Sequence, residues 1–229
     1  MIVLTFRIGG AMAHFRKVFS NSTSLTYYFP PRTTVMGIIA AAMGLKRDSY
    51  YEKLDKYQYS VAPLTGLRKI MFGENYLDTD EVSVTTLRGL KQRVPTAREF
   101  VVPSGGQSFL EYEVLVYPFD DTMEKSLKAP AYPISLGAAD MLGYVDYVEK
   151  VECDEINVIN GKVNSVVSLK PRIESNIKVA IEDMVPRTFD EGRHSGPLST
   201  YFIELNAMPL HVEGEAKGVK CGERQYLFL

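Results

Sequence analysis

The residues best suited to chemistry are concentrated in AHFRKVFSNSTSLTYYFPPRTT, residues 13–34. Arg16, Lys17 and Arg32 are cations that can track phosphates, and Phe15, Tyr27, Tyr28 and Phe29 are planar side chains on which splayed bases can stack. Four such aromatics cannot all be exposed, so Tyr27 or Tyr28 is expected to face a nucleic acid and Phe29 to be core. Thr33 and Thr34 stand where an apolar helical pattern begins. There a hydroxyl and free backbone N–H groups could hold a phosphate or simply cap the helix. A second cationic stretch, RGLKQRVPTAREFVVPSGGQS, carries Arg88, Lys91, Arg93 and Arg98 against Glu99 alone. The SerGlyGlyGln run at its end is too short for a phosphate loop.

Charge is distributed unevenly behind these segments. Residues 1–47 contain Arg7, Arg16, Lys17, Arg32, Lys46 and Arg47 and no acid, a net of +6, while the remaining 182 residues carry 20 basic and 28 acidic side chains, a net of −8. A basic lobe on an acidic chain suits one polyanionic ligand and limits indiscriminate nucleic-acid binding. The 45% hydrophobic and 24% charged fractions over 229 residues are those of a globular chain able to bury a core. No apolar run reaches a membrane span, and the short MIVLTFRIGG opening reads as a strand, so a cytoplasmic protein is expected.

Cys153 and Cys221 lie in unrelated contexts without CxxC spacing, which argues against a disulfide scaffold or a zinc site of the usual kind. His14, His194 and His211 are far apart and no HExxH motif accompanies them, so no metal or other cofactor is expected.

Periodicity supplies the elements that must hold these residues. MIVLTFRIG reads as a buried strand, and Val35, Ile38, Ile39 and Ala42 follow helical spacing up to Gly44. A short helix is predicted within 50–59, a strand pair around Gly66 and Gly73, and strands over 81–90 and 109–119. DDTMEKSLKAP, acidic first and basic late, reads as a short helix, and 134–153 as strand, turn and strand. The order β-α-β-β-α-β up to about residue 152 predicts a ferredoxin-like (RRM-like) α+β domain. A β-rich region follows over 153–229, with Asn160-Gly161 as a two-residue hairpin signal.

GGAMAHFRK followed by SLTYYFPPRTTVMGIIAAAMG resembles the N-terminal signature of CRISPR-associated protein family 5, a branch of the RAMP superfamily. APAYPISLGAAD (129–140) looks like the family's "Pro…LG" segment, and EDMVPRTFDEGRH (182–194) like its "Pro…Phe" segment. The resemblance implies a ferredoxin-like RAMP domain over 1–152, with a basic thumb at about 88–107. It also implies a non-catalytic subunit of a type I CRISPR surveillance (Cascade) complex. Such a subunit holds the 5′ handle of the guide RNA, caps the filament of backbone subunits and meets the large subunit, with no membrane involved. The RNA contacts expected are Arg16, Lys17, Tyr27, Tyr28, Arg32, Thr34, Arg88, Lys91, Arg93 and Arg98.

One branch of that family is similar in outline but cleaves CRISPR precursor RNA without metal, using a tyrosine, lysine and histidine. His14, Lys17 and Tyr27 are the set this chain could offer for that alternative. The adjacent Lys-His pair expected of the branch is absent from the sequence, and Arg193-His194 is its nearest imitation, with an arginine that is a poor proton donor.

Overall fold

A computed structural model describes residues 1–20, 23–77, 83–90, 93–172, 175–190 and 192–229, with backbone alone over 158–160. The first half runs β1 (Ile2–Gly10), β2 (Phe15–Arg16), β3 (Thr26–Tyr27), α1 (Arg32–Ala42), α2 (Tyr51–Asp55), β4 (Gln58–Pro63), β5 (Leu67–Leu77), α3 (Val84–Leu87), β6 (Arg93–Pro103) and β7 (Leu110–Tyr117). There follow α4 (Asp121–Lys128), β8 (Ile134–Ser135), β9 (Leu142–Glu152), β10 (Asp154–Val163), β11 (Pro171–Arg172), β12 (Val179–Pro186), β13 (Leu198–Glu204), β14 (Leu210–Cys221) and β15 (Arg224–Leu227). The chain is a mixed α/β protein, rich in strands and with few helices. Among the described residues no helix is long and apolar enough to cross a membrane.

The main sheet has the order β4-β7-β1-β9-β8 and its pairings are antiparallel. Alternation along β1 divides its side chains between two cores. Leu4, Phe6 and Ile8 meet Val35, Met36, Ile38 and Ile39 of α1 and Met123 and Leu127 of α4. Full burial of each such side chain contributes about 1.5–3 kcal/mol. On the other face, Val3, Ala62 and Leu115 pack against Val219 and Tyr226 of a second sheet ordered β10-β14-β11, with β15 paired to β14. Cys153 and Cys221, unrelated in the sequence, are joined here by a disulfide.

Between β4 and β7 the chain leaves the main sheet as a long ribbon. β5 and β6 pair antiparallel from Leu67↔Pro103 to Leu77↔Arg93. The strand predicted over 81–90 is corrected: within its described part, Ser83 and Thr86 form a capping box and wind Val84–Leu87 into the single helical turn α3. Of the 88–98 segment, residues 93–98 lie on β6 and pair with residues 72–77 of β5.

Two further local expectations are overturned. Asn160-Gly161 forms no hairpin turn, because β10 runs straight through it and pairs Asn160 with Glu213 and Gly161 with Val212. Helix α1 takes Pro31 as its N-cap with no side-chain cap bond, so neither Thr33 nor Thr34 caps it.

Candidate nucleic-acid interface

The loop after β1 lies against the base of the ribbon. Ala13 bridges Val101, Ser24 bridges Arg98, and the Ser24 N–H donates to Ala97 O (2.9 Å) while the Glu99 N–H donates to Ser24 O (2.9 Å). The two cationic segments singled out in the sequence therefore form one body. Gly137, in the "LG" motif, lets a third segment close on it: its φ is +92°, and a Cβ there would meet His14 O at 2.2 Å. The neighbouring Leu136 O accepts the His14 N–H (3.1 Å).

Inside this body three of the candidate cations, Lys17, Arg32 and Arg98, are already occupied. The Arg32 guanidinium is buried, donating to Asp55 Oδ1 (2.6 Å), Asp55 O (2.6 Å), Tyr57 O (3.0 Å) and Arg187 O (3.1 Å). These four bonds tie α1 to α2, to Tyr57 just before β4 and to Arg187 just after β12. Arg98 is likewise buried at the ribbon base, bidentate to Asp140 (2.7 and 3.0 Å) and stacked 4.9 Å from the Phe100 ring centroid. Asp140 holds the Arg98 guanidinium pKa above its ordinary value. Arg98 thus anchors the ribbon base to the segment that carries Asp140.

Lys17 approaches Glu182 Oε2 at 2.5 Å, and Lys69 approaches Glu182 Oε1 at 3.0 Å. Glu182 is 1% exposed and also accepts the Tyr28 N–H (3.0 Å). Burial of a carboxylate is tolerated when charges and hydrogen bonds surround it, as they do here. Tyr27 is fully buried and donates its hydroxyl to Met184 O (2.6 Å), and burial pushes its pKa up to about 12. Its ring lies in the core, with the Lys17 ammonium 5.2 Å from the ring centroid. Phe29 is core as expected, and Tyr28 is half-buried, with the Lys69 ammonium 4.2 Å from its ring centroid.

His14 is buried. Its Nδ1 lies 2.7 Å from Glu99 O, so that nitrogen carries the proton and donates, while Nε2 accepts from the Ser24 hydroxyl at 2.9 Å. Burial, with Arg98 and Arg16 adding to it, lowers the imidazole pKa below 6.5. Both ring nitrogens are therefore engaged within the loop–ribbon body.

Other candidates face outward. Arg16 is exposed, with one bond to Ser20 O (3.1 Å), and Arg88 and Arg93 are exposed near the far end of the ribbon. Thr34 is half-buried in the first turn of α1, and Lys91 lies outside the described residues. Lys46 and Arg47, the remaining cations of the basic lobe beyond α1, are also exposed. Gly37 sits under the Tyr50 hydroxyl, which a Cβ would meet at 3.0 Å, so packing accounts for it. Sequence reading missed Lys69, Glu182 and Asp140, whose roles depend on partners distant along the chain.

A family model described as CRISPR-associated protein (Cas_Cas5) matches residues 3–201. Among solved structures, a CRISPR protein from Archaeoglobus fulgidus superposes with a TM-score of 0.64 at 14% identity, covering 100% of this chain and 99% of that one. A chain of a CRISPR RNA-guided surveillance complex superposes with a TM-score of 0.54 at 18% identity, covering 93% and 91%. At these identities the likeness concerns the fold, and no curated protein matches. Since the family model spans most of the chain, the protein belongs to the CRISPR-associated protein 5 family.

Proposed function

We propose that this chain is a non-catalytic subunit of a type I CRISPR surveillance complex that holds the 5′ handle of the guide RNA and caps the filament of backbone subunits. We read the β-α-β-β-α-β succession of the main sheet as the ferredoxin-like arrangement on which such subunits are built. The observation that carries the functional reading is the sorting of cations. Arg32, Arg98 and Lys17 face carboxylates and carbonyls inside the loop–ribbon body, whereas Arg16, Arg88 and Arg93 face outward from the same body. Outward guanidiniums suit a single-stranded phosphate backbone, and we read half-buried Tyr28 as the aromatic that meets a base. The engaged ring of His14 and the burial of Tyr27 favour holding RNA over cutting it.

The test is titration of a fluorescein-labelled repeat RNA, with EDTA present, against wild type and the Arg16→Ala/Arg88→Ala/Arg93→Ala variant over a range of salt. Each lost phosphate contact lowers the slope of log affinity against log salt by about 0.7 for a single strand, so the triple variant loses about 2 in slope. The RNA emerges intact on a gel. An unchanged slope refutes the interface, and site-specific cutting abolished by His14→Ala would establish the endoribonuclease alternative.

A further inference from the structure

The C-terminal sheet carries a second cationic feature, far in the sequence from the loop and ribbon. The register of β14 against its two neighbours places His211 directly opposite Lys162 of β10 and Arg172 of β11. Directly paired antiparallel residues share a face with Cβ atoms about 4.5–5.5 Å apart. The flanking Val163, Leu210, Val212 and Pro171 are buried, so the Lys162–His211–Arg172 row lies on the opposite, solvent-facing side. Lys162, Lys170 and Arg172 are exposed, and a groove of about 430 Å³ is lined by Lys170, Pro171, Arg172 and Glu213.

Lys162 and Arg172 flank His211 with Lys170 beside them, and among the described residues none of the three lysine and arginine side chains has an ion-pair partner. Glu213, the described carboxylate in the groove, is displaced along β14 and lies opposite Asn160. An anion laid across the strands would supply the counter-charge that the three side chains lack. Two strand spacings make the row about 10 Å long. That length lets neighbouring phosphates of one nucleic-acid strand each reach a cation of the row.

We propose that this strip binds the phosphodiester backbone of a nucleic acid as a second contact, separate from the handle site. The chemistry is common to RNA and DNA. The full chain is therefore titrated with two probes across a range of salt: a mixed-sequence single-stranded RNA lacking the handle, and a duplex DNA. The Lys162→Gln/Lys170→Gln/Arg172→Gln variant should bind with a slope lower by about 2 for the RNA, or by about 2.7 for the duplex. A response with RNA alone assigns the strip to RNA, and one with the duplex alone assigns it to DNA. A Lys162→Glu/Arg172→Glu variant, checked for a wild-type melting curve, should lose more of the same binding. Wild-type slopes with both probes in both variants overturn the proposal, as does binding of a polyglutamate peptide without binding of either nucleic acid. Should the Arg16/Arg88/Arg93 variant prove silent while the strip variant responds, the handle reading fails and the strip stands.

Discussion

The loop at 13–34 and the far end of the β5–β6 ribbon are both cationic, yet they use their charge in opposite ways. In the loop, Lys17 is spent on the buried Glu182 and Arg32 on Asp55 and three backbone carbonyls, leaving Arg16 outward. Toward the ribbon end, Arg88 and Arg93 are exposed beside exposed Val84, Leu87 and Leu90. A high density of positive charge in sequence thus marks cohesion in one place and reach in the other. Among the described residues, what separates them is that the fold brings carboxylates to the loop's cations and not to Arg88 and Arg93.

The sharpest way to break this comparison is Arg32→Ala. It removes the donors to three backbone carbonyls at a buried site, beside a carboxylate that is half exposed, and should cost about 3 kcal/mol, read as a shift in the urea unfolding midpoint. Arg88→Ala and Arg93→Ala should leave that midpoint in place, and equal losses at the three positions would erase the distinction. Next in size is Glu182→Gln, which leaves Lys17 and Lys69 facing each other across a neutral amide. About 2 kcal/mol should be lost in the same assay, because both ammonium groups can still turn partly to water. A neutral result would place those lysines among the free cations.

The smallest effect is a pH dependence from His14. Its folded-state pKa lies below 6.5, so as pH falls the unfolded chain takes up the proton first. Stability should be intact above about 6.5 and should decline below it until the folded-state ring also protonates. Urea midpoints at about pH 7.5 and about pH 5.5 should therefore differ less in His14→Gln than in wild type, over and above the carboxylate titrations common to both. Parallel shifts would show that the ring is not held neutral.

Much of the fold is legible where a pattern is local. The alternation of β1 and β7, the helical spacing of α1 and the charge gradient of α4 each lie within one element. What escapes is decided elsewhere. The short helix α3 replaces a strand because two hydroxyls cap it, and Asn160-Gly161 stays extended because β14 is available to pair with it. The same holds for the interface. Arg16, Arg88 and Arg93 are outward as their composition suggests, but Arg98 meets an aspartate 42 residues on and Arg32 one 23 residues on. Pairings of that range are not written in any local spacing. The cation-rich motif was therefore readable as a motif, while the division of its members into anchors and contacts was not.

The ribbon is gripped at its root by the Ala13 and Ser24 bridges, the His14 bond to Glu99 and the Arg98–Asp140 fork. Its eleven pairs extend roughly 35 Å at about 3.4 Å per residue. Mechanically it is a boom with a fixed pivot: aim is set by buried residues shared with the main core, while length is set by the number of rungs. Rungs could be added or removed beyond Phe72 without touching the pivot. Evolution could thus alter how far the chain reaches while leaving unchanged where it points.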